Sequence, residues 1–287
     1  MDTEVELTSA LLQATDTQPA VQPGESLPWP QVVYLYQPLE DSQLLLPEHA
    51  SCLAVKTYLR MCRLPYMERQ CDNAEFMSPG GRLTKLPLLR LDHRLFTEFE
   101  PIVGYVESTQ LDHALSSWLD AEEREDMRSE VTYVENTFTL AEMHQCYRET
   151  PIFANYTQPR IGAAHPWPLS SIRRHEKSEE ALRLLRVYQW HDLDAPGVQM
   201  QLQQCCKLLS DKLEANEENA ELIAGYLWGQ QLCELDALVF GHVTAILASQ
   251  LVSPMLADTV RAYPRLVAHS RGIDQAYHQG KQLANED

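Results

Sequence analysis

Residues 233–242 read Cys233-Glu234-Leu235-Asp236-Ala237-Leu238-Val239-Phe240-Gly241-His242, and they open an apolar run that continues through Val243, Ile246, Leu247 and Leu251. A helix that is apolar on nearly every side belongs in the middle of a core. Asp236 stands three residues after Cys233, the spacing at which an acid reaches back to cap a helix. An acid held there satisfies backbone N–H groups that the first turn otherwise leaves without partners. The stretch therefore predicts a buried central helix with Cys233 and Asp236 as its structural cap. His242 is expected to be a hydrogen-bonded core histidine.

The pattern on either side is helical too. Met127, Val131, Val134, Phe138 and Ala141 fall on one face of a long helix, and Glu122, Glu123, Glu125, Asp126 and Glu130 fall on the other. Val198, Leu202, Cys205, Leu209 and Leu213 form a second stripe. Between them, His165-Pro166-Trp167-Pro168 leads into a helix for which Ser170 is the expected cap. An acidic polar segment, Glu214 to Glu221, precedes Tyr226-Leu227-Trp228 and the central helix. Pro254 and Pro264 bound the last short helices. Trp167 and Trp228 could anchor an interface, but core or loop packing is the preferred reading of each.

Upstream the periodicity changes. Val32-Val33-Tyr34-Leu35-Tyr36 reads as a buried strand, and residues 48–62 as a helix. A second strand is expected around Tyr66–Cys71, a turn at Gly80-Gly81, a hairpin from Leu86–Leu91 turning near Asp92-His93, and a helix from Glu98 to Glu107. The expected organisation is an acidic disordered tail over 1–30, an α/β domain over 31–110, an all-helical domain over 115–280 and a polar tail over 281–287.

Composition narrows the function. At 287 residues with 44% apolar, the chain has enough for a real core. A net charge of −18 repels phosphates, which argues against general nucleic-acid binding. The cysteines are 52, 62, 71, 146, 205, 206 and 233, with no Cys-x-x-Cys, so neither a disulfide framework nor a metal knuckle is expected. Adjacent Cys205-Cys206 point apart on a helix and read as packed thiols. The run from Ala237 to Val252 is short of the ~20 residues a membrane span needs. The acidic N-terminus lacks the basic and apolar regions of a cleavable signal. Arg173, Arg174, Lys177, Arg183 and Arg186 could meet lipid head groups or an acidic partner, but interleaved Glu176, Glu179 and Glu180 favour an ordinary solvated face.

The cap-then-buried-helix pattern resembles the C-terminal domain of the glutathione transferase superfamily, and the strand–helix order resembles its thioredoxin-like N-terminal half. Leu86-Pro87 sits where that superfamily places a cis-proline. Glu98-Phe99-Glu100-Pro101-Ile102-Val103-Gly104-Tyr105 sits where it places an acid/Gln–Ser pair and the helix that follows. Glu98 matches the acid, but Phe99 replaces the serine, whose hydroxyl and backbone N–H hold the γ-glutamyl carboxylate. Pro87, Glu98 and Phe99 thus mark a degenerate glutathione site. Tyr36, Ser42, Ser51 and Cys52 lie near the place of the thiol-activating residue, but none sits in a recognisable setting for it.

Further words resemble the metaxin family. They are Ala50-Ser51-Cys52-Leu53-Ala54-Val55, Met61-Cys62-Arg63-Leu64-Pro65, Asn73-Ala74-Glu75-Phe76-Met77-Ser78-Pro79-Gly80-Gly81, Pro166-Trp167-Pro168-Leu169 and Glu234 to His242. The resemblance implies a glutathione transferase-like fold, a thioredoxin-like domain followed by a helical one. It also implies a non-enzymatic subunit, without cofactor, of the mitochondrial outer-membrane sorting and assembly machinery. Such a subunit lies peripherally on the cytosolic face. Its implied partners are an anchored metaxin-1-type subunit, the β-barrel insertase and β-barrel precursors. The rival readings are an active cytosolic glutathione transferase and a transferase-fold adaptor at mitochondrial contacts.

Overall fold

The computed structural model describes residues 28–72, 74, 85–219, 225–229 and 231–279. The acidic tail through residue 27, the Asn73–Gly81 words apart from Ala74, the Gly80-Gly81 turn, Glu221 and the polar C-terminal tail lie outside the described residues.

Strand β1, Val33–Gln37, forms from the β-branched and aromatic run read above, one residue later than expected. Helix α1, Leu46–Met61, starts two residues earlier than expected. Pro47 suits its first turn, and Glu48 Oε2 accepts the Leu45 N–H at 3.0 Å. It ends where Arg63 turns left-handed (φ 55°) and the Leu64 N–H returns to the Leu59 carbonyl at 2.9 Å. Strand β2 is Met67–Gln70, β3 is Leu88–Leu91 and β4 is Arg94–Thr97. Asp92 turns the β3–β4 hairpin with φ 50°, a conformation its short polar side chain tolerates. The sheet order is β2-β1-β3-β4, with β2 parallel to β1 and the other pairs antiparallel. Helix α2, Phe99–Thr109, closes this half.

Helix α3, Ala121–Arg148, starts at a reciprocal capping box between Asp120 and Glu123. It buries Met127, Val131, Val134, Phe138 and Ala141, as its periodicity predicts. A broken helical passage follows: Thr150–Ile152, a π-helical Phe153–Thr157, and Gln158–Gly162. Helix α4 is Leu169–Val187. Ser170 does not cap it; Ser170 is its second helical residue, behind Pro168, and is buried. Trp167 is 82% exposed, which corrects its reading as packing. Trp228 does pack: its indole N–H donates to Glu130 at 2.8 Å and Lys212 lies over its ring.

Helix α5 is Ala195–Asn219, and the acidic polar segment from Glu214 continues it as far as Asn219. Helix α6 is Glu234–Ala248, α7 is Met255–Arg261 and α8 is Pro264–Tyr277. Among the described residues no helix is long and apolar enough to cross a membrane.

The sheet half and the helical half meet along α1 and α6. A methyl group on Gly241 would stand 2.5 Å from the Ala50 carbonyl oxygen and 2.8 Å from the Ala54 Cβ. Only glycine lets the two helix backbones approach so closely. Below that crossing His242 Nδ1 lies 2.8 Å from Glu142 Oε1, both side chains fully buried, with the imidazole against Phe138.

Candidate functional site

The corner formed by β3, β4 and the start of α2 holds the three residues singled out above. The Leu86–Pro87 bond is cis, and the buried Pro87 offers its carbonyl to the Glu98 N–H at 3.3 Å. Glu98 has φ 70° and ψ 163°, a region essentially reserved for glycine. Its carboxylate pairs with the exposed Lys85 at 3.1 Å.

Phe99 is 1% exposed, and its ring meets Tyr58 of α1 edge-on at 5.9 Å. That contact anchors α2 to the core. A phenyl ring also has no hydroxyl with which to hold a carboxylate. Glu135 of α3 faces the same corner. Burial raises its pKa; His242 and then Lys85 oppose the rise, while Glu98 and Glu100 add to it. The corner is therefore acid-rich as well as lacking the serine.

Activation of a thiol is equally poorly provided for. Tyr36 is buried beside Leu44, Cys52, Leu86 and Leu88, and burial raises its phenol pKa. Cys52 is fully buried, and its thiol is pushed well above the ordinary range by desolvation. Ser51 is half-buried on α1, and Ser42 is exposed on the connection before it. A nucleophile needs a lowered pKa or an adjacent base. Tyr36 and Cys52 are shifted the wrong way.

All seven cysteines are described; no disulfide joins any of them, and six are buried. Cys205 and Cys206 both pack into the core, with burial raising Cys206 to about 12. Among the described residues no group of His, Cys, Asp and Glu has the arrangement of a metal site. The basic stretch of α4 is interleaved with acids: Arg173 pairs with Glu176, Arg183 with Glu180, and Lys177 with Glu48 of α1 at 2.7 Å.

The N-terminus of α6 holds two buried acids. Asp236 Oδ2 accepts the Cys233 N–H at 2.9 Å and its thiol at 3.3 Å. Asp236 Oδ1 accepts the Leu227 N–H at 3.0 Å and lies 2.8 Å from His269 Nε2 of α8. Cys233 thus donates to the acid instead of capping on its own account. One carboxylate ties together the 226–229 loop, the start of α6 and α8.

Sequence reasoning did not single out Glu234. It is 1% exposed, and Oε1 accepts the Ser116 N–H at 3.2 Å. The Ser116 hydroxyl donates to Glu107 at 2.7 Å, and Glu107 pairs with Arg128 at 3.0 Å. Glu234 Oε2 has no hydrogen-bond partner among the described residues. Burial, with a push from Glu107, raises its pKa to about 7. Its partners come from residues more than a hundred positions away, so no local pattern could mark it.

Comparison with known proteins agrees with this architecture. The family described as "Outer mitochondrial membrane transport complex protein" matches residues 52–178, and "Glutathione S-transferase, C-terminal domain" matches residues 202–273. Metaxin-2 of Mus musculus is 34% identical over 252 residues, which are 88% of this chain and 91% of that protein. Metaxin-2 of Homo sapiens is 34% identical over 88% of this chain and 92% of its own length. A glutathione S-transferase from Rhodospirillum rubrum F11 superposes with a TM-score of 0.51 at 15% identity, covering 85% of this chain and 88% of that one. At that identity the superposition speaks for the fold alone. With a metaxin matched across nearly its whole length and a glutathione transferase-like architecture, the chain belongs to the metaxin family.

Proposed function

We propose that this chain is a subunit of a mitochondrial outer-membrane transport complex, and specifically of the sorting and assembly machinery for β-barrel proteins. It acts there by recognition and scaffolding and not by bond chemistry. The observation that carries this reading is Phe99: the position that would hold glutathione's carboxylate is built into the core against Tyr58. The elevated pKa values of Tyr36 and Cys52 support it from the catalytic side. Kinship with Metaxin-2 and the match to the outer mitochondrial membrane transport family support the placement in such a complex. In this reading the protein lies on the cytosolic face, held by an anchored metaxin-1-type subunit beside the insertase. The precursor meets the sheet half as an extended segment.

Affinity purification of the tagged protein from mitochondria in mild detergent, with mass spectrometry, tests the reading. Recovery of an anchored metaxin and the β-barrel insertase is expected. A protein that fractionates with the cytosol, binds immobilised glutathione and conjugates a generic electrophile would instead be a transferase.

A further inference from the structure

A cavity of ≈ 380 Å³ opens between α2 and α3, on the side of α2 that faces Glu234. Val103, Met127 and Val131 give it apolar walls, and three carboxylates, Glu100, Glu107 and Glu234, line it against one guanidinium, Arg128. That guanidinium is already divided between Glu107 at 3.0 Å and Glu125 at 2.9 Å. Glu234 is the buried member, and its Oε2 is an acceptor without a donor. Native proteins rarely leave such an atom unsatisfied without a reason. Gly104 also lines the cavity: a Cβ built there meets nothing within 4 Å, although glycine weakens a helix interior.

We propose that this cavity binds an alkylammonium or alkylguanidinium group, the side-chain chemistry of Lys and Arg. The aliphatic stem lies along Val103, Met127 and Val131, and the cationic head donates to Glu234 Oε2. The inference rests on the cavity alone and does not depend on the transport reading. Long basic side chains are suited to such a place because their stems are apolar and only their heads need a partner.

The site is pH-dependent. The groups facing Glu234 are Glu100 and Glu107 from α2, Arg128 from α3, the phenol of Tyr58 from α1 and the thiol of Cys62 just past its end. Burial raises the pKa of both the phenol and the thiol, so neither carries charge near neutrality. With Glu234 at about 7, its ionised fraction rises about tenfold between pH 6 and pH 8, and cation binding tightens by the same factor.

The test is a titration of the full chain with n-butylammonium chloride, followed by NMR chemical shifts, with 1-butanol as the neutral probe of equal stem. Millimolar binding of butylammonium is expected, about tenfold or more tighter than butanol, a preference of the size that one charge-assisted hydrogen bond supplies. Glu234→Gln keeps the acceptor for Ser116 and should erase that preference. Gly104→Leu fills the cavity at a position with room for it and should abolish binding of both probes. N-acetyl-lysine N-methylamide separates the sources. If it binds at least as tightly as butylammonium, the occupant is a peptide side chain; if it is excluded while butylammonium binds, the occupant is a small amine. Equal affinity for butylammonium and butanol, or butylammonium binding unchanged by Gly104→Leu, overturns the proposal.

Discussion

Asp236 and Glu234 sit two residues apart on α6, at the same helix end, and both are at most 1% exposed. The two sides of that helix end nonetheless differ. On one side Asp236 faces Leu227, Cys233 and His269, which fill both of its oxygens. On the other, Glu234 faces α2 and α3 across a cavity, with one oxygen filled and one empty. Buried polar atoms that are fully paired hold a structure together, whereas an empty one leaves capacity for something to come. The first site is structural, and the second is open to a partner.

The largest test of that contrast is Asp236→Ala. It leaves the Leu227 and Cys233 N–H groups and His269 unpartnered inside the core. A cost of about 3–5 kcal/mol is expected, read by chemical denaturation. A cost under about 1 kcal/mol would mean that the four contacts do not act as a tie.

Glu234→Gln should differ in kind. The folded state raises this acid from 4.5 to about 7, so it favours the protonated form. Its contribution to stability is fully present below about pH 4.5 and is lost as the pH rises to about 7. Relative to the Gln variant, the native protein should therefore lose up to about 3 kcal/mol across that window. Parallel stability–pH curves for the two proteins would remove the distinction from Asp236. Further along the helix, Gly241→Ala should cost about 1–3 kcal/mol, because the methyl meets the Ala50 carbonyl and Ala54 with no flexible side chain to yield. Fitting the methyl at no cost would show that the α1–α6 crossing is looser than its backbone separation implies.

These residues were not equally legible in the sequence. Asp236 could be read because capping is local and the acid stands at a fixed offset from Cys233. The α3 stripe could be read for the same reason: periodicity alone names its buried face. Glu142 lies near the end of that same helix, four residues after Phe138, and is fully buried against His242; its spacing put it at the edge of the buried stripe, while its charge argued for the exposed face. Glu234 is the harder case, since Ser116, Glu107 and Arg128 reach it only through the tertiary fold. Phe99 was legible as a substitution but not as a core anchor, because Tyr58 meets it from another element. Ser170 misled because Ser is a frequent cap, and here Pro168 took the boundary two residues earlier. Trp167 misled because apolar character sets a preference for burial and says nothing of whether a neighbour arrives to provide it.

The smallest expected effect is at Cys233 and bears most directly on what caps α6. If the cap rested on the thiol, replacing it with a far better acceptor would gain about 1 kcal/mol. The thiol instead donates to Asp236 Oδ2, and the Cys233 backbone N–H reaches the same oxygen at 2.9 Å. A serine hydroxyl, slightly smaller than the thiol, can donate in the same direction. Cys233→Ser should therefore shift stability by less than about 1 kcal/mol in either direction, and combined with Asp236→Ala it should recover little of the larger loss. Substantial recovery in the double variant would show that the hydroxyl can replace the carboxylate, and the Asp236 side of α6 would then be no more firmly built than the Glu234 side.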